Sequence, residues 1–211
     1  MRRLPVYLVL DVSGSMHGEP IEAVRNGMQM LVSTLRTDPY ALETAFLSVI
    51  TFDEKARQAV PLTELMAFQP PTIEAGSTTS LGDALKVVKE CIEREVKKTT
   101  AEEKGDWKPL VFLMTDGQPT DDWEKGLNEF KKVKTGMVIA CAAGPQADTK
   151  VLKQITEVVV SLDTADSSTI GAFFKWVSAS ISTSSKKVDL TKAESSEISE
   201  LPPPPPQITL V

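Results

Sequence analysis

Residues 6–15, Val-Tyr-Leu-Val-Leu-Asp-Val-Ser-Gly-Ser, decide the fold class of this chain. Five apolar residues of β-forming types are followed at once by an acidic residue and two hydroxyl side chains. Continuous rather than alternating apolarity is typical of a strand that is covered on both faces, as in a parallel sheet. We therefore predict a central strand over residues 6–10 of an α/β fold, with Asp11 at its carboxyl end.

The rest of the chain alternates between similar apolar runs and segments whose apolar residues recur at helical spacing. Further strands are predicted at 45–52, 56–60, 109–114, 137–142 and 158–162, and helices at 20–35, 81–98, 121–134, 148–157 and from 167 onward. A tight turn through Asp53 and Glu54 makes the third strand antiparallel and places it at an edge. The alternation predicts a doubly wound, mostly parallel six-stranded α/β sheet with helices on both faces and the strand order 3-2-1-4-5-6.

The composition predicts one folded domain and a tail. The chain has 211 residues, of which 41% are hydrophobic and 25% charged, so a packed core is expected. From about Ser182 the sequence becomes rich in Ser, Lys and Glu, and five prolines follow at 202–206. We therefore expect a domain at 1–182 and a Ser/Glu- and Pro-rich C-terminal tail at 183–211, a linker with polyproline II character that buries no core of its own.

Charge and cysteine content narrow the possible functions. The net charge is −6 and no basic stripe is visible, which argues against nucleic-acid binding. The apolar run after Met1 is too short for a signal peptide, and no later run is long enough to cross a membrane. Two cysteines, Cys91 and Cys141, are too few for a disulfide framework, so both are predicted to be reduced core thiols. These features predict a cytoplasmic protein.

Three polar turns lie at predicted strand ends or before a predicted helix: Asp11-Val-Ser13-Gly-Ser15, Ser77-Thr78-Thr79 and Thr115-Asp116-Gly117. In the expected strand order, strands 1 and 4 are neighbours at the point where the order reverses, and ligands bind there at the carboxyl edge. Asp11 ends strand 1 and Asp116 follows strand 4. Their carboxylates are therefore expected to meet at that edge.

The chemistry of these turns predicts a metal site. Two adjacent carboxylates repel each other unless a cation lies between them. The candidate ligands are hard oxygen donors, which select Mg²⁺ first, with Ca²⁺ or Mn²⁺ as alternatives. Because hydroxyls are neutral, the ion keeps positive charge for one more anionic ligand, such as a Glu or Asp of a partner protein. The predicted ligand set is Asp11, Ser13, Ser15, Thr79 and Asp116.

These three turns, in this order, resemble the metal-ion-dependent adhesion site (MIDAS) of von Willebrand factor A domains. The resemblance covers roughly residues 4 to 182. It implies that Ser13 and Ser15 bind the metal directly and that Thr79 does so in one conformation. It also implies that Asp11 and Asp116 bind directly or through water. Thr78 stays open as an alternative to Thr79, since it lies two residues after a glycine, whereas the Ser-Leu-Gly-Asp-Ala-Leu that follows favours Thr79.

The Leu-Gly-Asp-Ala-Leu after Thr79 and the proline-rich tail are similar to bacterial tellurium-resistance TerY-type proteins. That resemblance implies a stress-response or metal-resistance complex, and such complexes can include a protein kinase or phosphatase as partner. The function expected from both resemblances is metal-dependent binding of a partner protein, without catalysis.

Two other functions remain as alternatives. One is Mg²⁺-dependent phosphoryl transfer with Asp11 as nucleophile, because phosphatases of the haloacid dehalogenase type also place an Asp after strand 1. Those enzymes resemble Asp-x-Asp, and Ser13 stands where their general acid would be. There is also no Gly-x-x-x-x-Gly-Lys phosphate loop. The other alternative is a structural metal that merely holds the loops together.

Overall fold

The computed structural model of the chain describes residues 2–190 and 198–211, in which strands and helices alternate. The strands are β1 (Leu4–Asp11), β2 (Ala45–Phe52), β3 (Ala56–Glu64), β4 (Leu110–Thr115), β5 (Val138–Ala143), β6 (Val158–Leu162) and β7 (Thr209–Leu210). The helices are α1 (Glu19–Leu35), α2 (Pro39–Thr44), α3 (Leu81–Glu95), α4 (Trp123–Phe130), α5 (Thr149–Ile155) and α6 (Ser167–Leu190). Two short 3-10 turns occur at Gly14–Met16 and Ile198–Glu200.

The sheet has the order β3-β2-β1-β4-β5-β6-β7. This confirms the predicted order of the first six strands, with β3 antiparallel to β2 at one edge. β7 is a seventh, two-residue strand that pairs antiparallel with β6 and was not predicted. β1 lies between β2 and β4 and is parallel to both, so its end is the place where the strand order reverses.

β1 is buried along its whole length, as its continuous apolarity predicts. Val6, Leu8 and Leu10 belong to the core that α1 and α6 cover, whereas Tyr7 and Val9 belong to the core under α3 and α4. Successive side chains of a strand point to opposite faces, so one strand supplies both cores. The doubly wound arrangement with helices on both faces is confirmed.

A short helix, α2, lies between the predicted helix at 20–35 and the predicted strand at 45–52, where no element was expected. The Asp38 carboxylate accepts hydrogen bonds from the N–H groups of Tyr40 and Ala41, at 2.9 and 3.4 Å. Pro39 occupies the first helical turn, where its missing N–H is no loss. Asp38 and Pro39 therefore start a new helix three residues after α1 ends at Leu35.

The cysteines and the helices agree with two further expectations. Cys91 and Cys141 are both buried and neither forms a disulfide. Among the described helices, none combines the length and apolarity that crossing a bilayer requires.

The C-terminal part differs from the predicted tail. α6 continues to Leu190, past the expected boundary at 182, and residues 198–211, here called the C-terminal strap, pack back onto the domain. The indole N–H of Trp176 donates to the carbonyl of Pro202 at 2.8 Å, while Leu201 and Ile208 are only 8% and 5% exposed. The strap therefore buries apolar side chains, contrary to the expectation of a bare linker. Residues 191–197 of the predicted tail lie outside the described residues.

The burial of the strap predicts that it contributes to stability. Leu201→Ala should lower the free energy of unfolding by about 2–3 kcal/mol, because it removes a buried apolar side chain and leaves a cavity. Urea denaturation of the full chain measures this change. Leu210→Ala is the matched control: Leu210 lies in the same strap but is 51% exposed, so its loss should cost less than about 0.5 kcal/mol. Equal effects of the two variants would show that the strap does not pack as described.

Candidate metal centre

Asp11 is the last residue of β1, and its side chain is held from two directions. One carboxylate oxygen, Oδ1, accepts the N–H of Ser13 at 2.8 Å, and Oδ2 accepts the hydroxyl of Thr115 at 2.5 Å. Because Thr115 is the last residue of β4, the second bond joins the ends of two neighbouring strands. Asp11 is 1% exposed, so its orientation is fixed within the protein.

Three more of the predicted ligands form a chain of oxygen atoms at the same edge. The Ser15 hydroxyl donates to Oδ1 of Asp116 at 2.7 Å, and the Ser13 and Ser15 hydroxyl oxygens lie 3.1 Å apart. Ser15 and its neighbours form a 3-10 turn, although alternate residues of an Asp-x-Ser-x-Ser segment would also point the same way in an extended turn. The turn nevertheless brings both hydroxyls together beside Asp116.

Thr79 faces the loop that carries Asp116. Its hydroxyl oxygen lies 3.6 Å from the position that a Cβ on Gly117 would occupy, and the residue is 7% exposed. Thr78 is exposed. Of the two threonines left open by the sequence, the structure therefore brings Thr79 to the Asp116 turn.

Backbone hydrogen bonds tie the three loops together. The N–H of Gly76 donates to the carbonyl of Val12 at 2.6 Å, and the N–H of Gly14 donates to the carbonyl of Ser77 at 3.0 Å. On the other side, the N–H of Thr120 donates to the carbonyl of Thr79 at 2.9 Å. Since none of these bonds involves a candidate ligand's side chain, the loops are positioned by the fold itself.

Two glycines allow this close approach. A Cβ on Gly14 would lie 3.1 Å from the Ser77 carbonyl oxygen, and one on Gly76 would lie 2.0 Å from Oδ2 of Asp53. Gly14 does not have a positive φ, so a glycine is required here by the lack of space for a Cβ and not by the backbone conformation. Any larger residue at Gly76 would clash with the Asp53 side chain in the turn between β2 and β3, so this turn or the Gly76 loop would have to shift.

Three residues support this site without being among the predicted ligands, and their supporting role was not predicted from the sequence. Thr115 orients the Asp11 carboxylate, and the Thr120 hydroxyl oxygen accepts the N–H of Thr79 at 3.1 Å. The Asp121 carboxylate accepts the N–H groups of Gly82 and Asp83 at the start of α3, whereas its neighbour Asp122 caps α4 by accepting the N–H of Lys125 at 3.1 Å. The available signal was the cluster of Thr and Asp side chains around Asp116, which capping rules alone assign to the nearest helix.

The electrostatics of the site disfavour two negative charges. Burial raises the pKa of Asp11 to about 6, against the lowering effect of its hydrogen bonds from Ser13 and Thr115, and the charge of Asp116 raises it further. Burial also raises the pKa of Asp116. Within residues 2–190 and 198–211, no Lys, Arg or His forms an ion pair with either carboxylate.

This arrangement fits a hard divalent cation. Buried carboxylates without a counter-charge are stabilised by a cation, and carboxylate and hydroxyl oxygens are ligands that Mg²⁺, Ca²⁺ and Mn²⁺ accept. In the part of the chain that the structure describes, no group of three or more His, Cys, Asp or Glu side chains could hold a metal ion. The hydroxyl-rich edge is thus the candidate centre.

Residues 6–175 match the model of the von Willebrand factor type A domain, which spans most of the chain and includes all three loops. The chain belongs to this family. Domains of the family are commonly metal-dependent protein-interaction modules and are generally not enzymes.

Individual relatives are more distant. An uncharacterized protein of Synechocystis sp. is 34% identical over 125 residues, which are 56% of this chain and 26% of that protein. The pilus adhesin SpaC of Lactobacillus rhamnosus GG has a TM-score of 0.69 at 16% identity, over 87% of this chain and 31% of the adhesin. Proximal thread matrix protein 1 of the mussel byssus, solved with a zinc-occupied MIDAS motif, has a TM-score of 0.59 at 21% identity, over 84% of this chain and 48% of that one. The chain therefore spans less than half of each of these proteins, and the two solved structures show the shared fold.

The raised pKa of Asp11 predicts how the metal-free protein responds to pH. Because the folded state holds the Asp11 proton more tightly than the unfolded state, the stability linked to this group is present below pH 4 and lost as pH rises through about 6. In EDTA, Asp11→Asn should therefore gain stability relative to wild type across this range, by about 1–3 kcal/mol at pH 7.5. Urea denaturation of both proteins between pH 4 and pH 7.5 measures the difference. A difference that stays constant with pH would contradict the assigned cause.

Proposed function

We propose that this domain binds an acidic side chain of a partner protein through one divalent cation held by Asp11, Ser13, Ser15, Thr79 and Asp116. The observation that carries the proposal is the chain of oxygen atoms from Asp116 through Ser15 to Ser13, beside a second buried carboxylate. When bound, the cation supplies a coordination position for a carboxylate oxygen from outside the domain.

The hydrogen bonds suggest different roles for the two acids. Both carboxylate oxygens of Asp11 already accept hydrogen bonds from within the domain, so Asp11 acts mainly through its charge or through a bridging water. Asp116 accepts one hydrogen bond from a hydroxyl that is itself a proposed ligand. The three hydroxyls add no negative charge, which leaves the cation attractive to an anionic partner.

Magnesium is the proposed ion, with Ca²⁺ or Mn²⁺ as alternatives. All five ligands are hard oxygens, and no His or Cys is among them, so the donor set favours these ions over zinc. Zinc occupies the motif in the mussel protein, and a titration should therefore include it.

The same geometry argues against catalysis by Asp11. A nucleophilic carboxylate has to reach a phosphorus atom, but Asp11 is buried, and both of its oxygens are engaged. Ser13 stands where a general acid would be required, and a hydroxyl is a poor proton donor at neutral pH. We therefore propose a binding function rather than phosphoryl transfer.

The proposed setting is a bacterial tellurium-resistance or stress-response complex in the cytoplasm, with a kinase or phosphatase as the partner. This part of the proposal rests on the similarity of residues 81–85 and the proline-rich segment to TerY-type proteins. The partner offers a Glu or Asp to the cation, and the loops around the centre select it.

Metal binding provides the first test, and neighbouring threonines give a matched pair. In protein stripped with EDTA and titrated calorimetrically with Mg²⁺, Ca²⁺, Mn²⁺ or Zn²⁺, Thr79→Ala should weaken binding of the preferred ion about tenfold, since it removes one ligand. Thr78→Ala should change the Kd less than about twofold, because Thr78 is exposed. Equal losses, or no binding by the wild type, would refute the ligand assignment.

Partner capture provides the second test. The full chain, immobilised and incubated with extract of its native cells, should retain a partner in Mg²⁺ and release it in EDTA, whereas Asp116→Ala should retain none in either buffer. Circular dichroism and urea denaturation establish that the variant is folded. Recovery of a kinase or phosphatase would support the proposed setting. Retention that is indifferent to EDTA and to Asp116→Ala would mean that the metal centre does not mediate binding.

A further inference from the structure

A pocket of about 590 Å³ opens at the amino ends of β1 and β4, the sheet edge opposite the candidate metal centre. Its walls come from four separate segments: Arg2 before β1, residues 92–99 at the end of α3, residues 106–109 before β4, and residues 132–134 after α4. This volume falls in the range of about 300–1000 Å³ typical of small-molecule sites.

The side chains around this pocket are mainly positive, although the protein as a whole is negative. The chain carries a net charge of −6, yet only two acidic residues line the pocket, Glu93 and Asp106, and Asp106 is already paired with Arg3. The cationic lining residues are Arg2, Lys97, Lys98, Lys108, Lys132 and Lys134, of which Lys132 is paired with Glu129 outside the pocket lining. Such a concentration of one sign in a concave surface attracts anions.

Helix ends explain only part of this cluster. Cations are common near helix C-termini, and Lys97 and Lys132 fit that explanation because they follow α3 and α4 closely. Arg2 and Lys108 come instead from the segments before β1 and β4, and Lys134 lies beyond the last turn of α4. The convergence of these residues on one cavity is therefore a property of the fold and not of the helices alone.

Buried and half-buried apolar side chains form the floor of the pocket, and the Arg2 guanidinium covers the ring of Trp107. The guanidinium of Arg2 lies 3.5 Å from the centre of the Trp107 ring, and its Nε–H donates to the carbonyl of Gly105 at 2.7 Å. Further apolar lining comes from Ile92, Val96, Pro109 and Val133. A ligand that fits both the floor and the rim has an apolar part and several negative charges.

We propose that this pocket binds a small organic di- or triphosphate, of the size of a nucleotide, with its phosphates at the lysines of the rim and its apolar part on the floor. Lysine ammonium groups bind phosphate as point charges on flexible stems, which suits exposed positions such as Lys98 and Lys134. A concave cavity of this volume favours a small molecule over the flat surface of a protein. The site is separate from the metal centre and does not depend on the function proposed for it.

Titration calorimetry of the full chain with ADP tests this proposal, with pyrophosphate as a probe that has the phosphates alone. The buffer contains EDTA, so that phosphate binding by a cation in the metal centre cannot contribute. We expect ADP to bind, pyrophosphate to bind more weakly because it lacks the apolar part, and Asp116→Ala to leave ADP binding unchanged. The double charge reversal Lys98→Glu/Lys134→Glu should weaken ADP binding about tenfold or more.

The control variant Lys150→Glu/Lys175→Glu makes the same change in net charge at exposed lysines of α5 and α6, outside the pocket. It should change the Kd for ADP less than about twofold in 0.15 M salt, where distant exposed charges are screened. The proposal is overturned if ADP does not bind at about 1 mM, a weak-affinity limit, or if both double variants lose binding equally. It is also overturned if a short poly-glutamate peptide binds the pocket more tightly than ADP, which would indicate a protein ligand.

Discussion

The hydrogen bond from the Thr115 hydroxyl to the Asp11 carboxylate is the contact on which the candidate metal centre depends. It joins the last residues of β1 and β4, which are neighbours only because the sheet reverses its order between them. Asp11 is almost fully buried, and none of the basic side chains that the structure describes forms an ion pair with it. A different pairing of the central strands would separate Asp11 from the Asp116 turn, and the oxygen ligands would then no longer lie together.

The surrounding loops keep the two carboxylates close together although their charges repel. Two carboxylates at one edge favour separation, yet backbone hydrogen bonds at Gly14, Gly76 and Thr120 hold the loops in place. Stability supplied by the whole fold therefore maintains a local arrangement that is unfavourable by itself. Because the ligands are already in position, a cation that binds there does not have to pay the free-energy cost of ordering the loops.

Local patterns predicted most of the fold, because β1, β2, β4, β5 and β6 are mostly apolar runs and each long helix repeats its apolar residues at helical spacing. β3 alternates instead and was placed by the tight turn before it. The candidate site followed from the same reasoning, since the parallel order places Asp11 and Asp116 at one edge. The misses arise from contacts between distant parts of the chain. Asp121 caps α3 across a gap of nearly 40 residues, and the strap folds back through Leu201 and Ile208, scattered apolar residues in a Pro-rich segment. The composition of the whole segment is dominated by Ser, Glu and Pro, so it predicted a linker and gave no sign that two of its apolar side chains are buried.

The carboxyl ends of β1 and β4 carry the acidic metal centre, and their amino ends carry the basic pocket. Helix α3 lies next to both sites. Its first residues follow Thr79 and Ser80, and its last turns line the basic pocket about 22 Å away, given 15 helical residues. Charges this far apart are screened, since the Debye length is about 8 Å at physiological salt. The proposed cation and the proposed phosphate ligand therefore cannot influence one another appreciably through the electric field. A displacement of α3 would reach both sites, and the tight contact between Gly82 of α3 and Gly126 of α4 would carry α4 along with it.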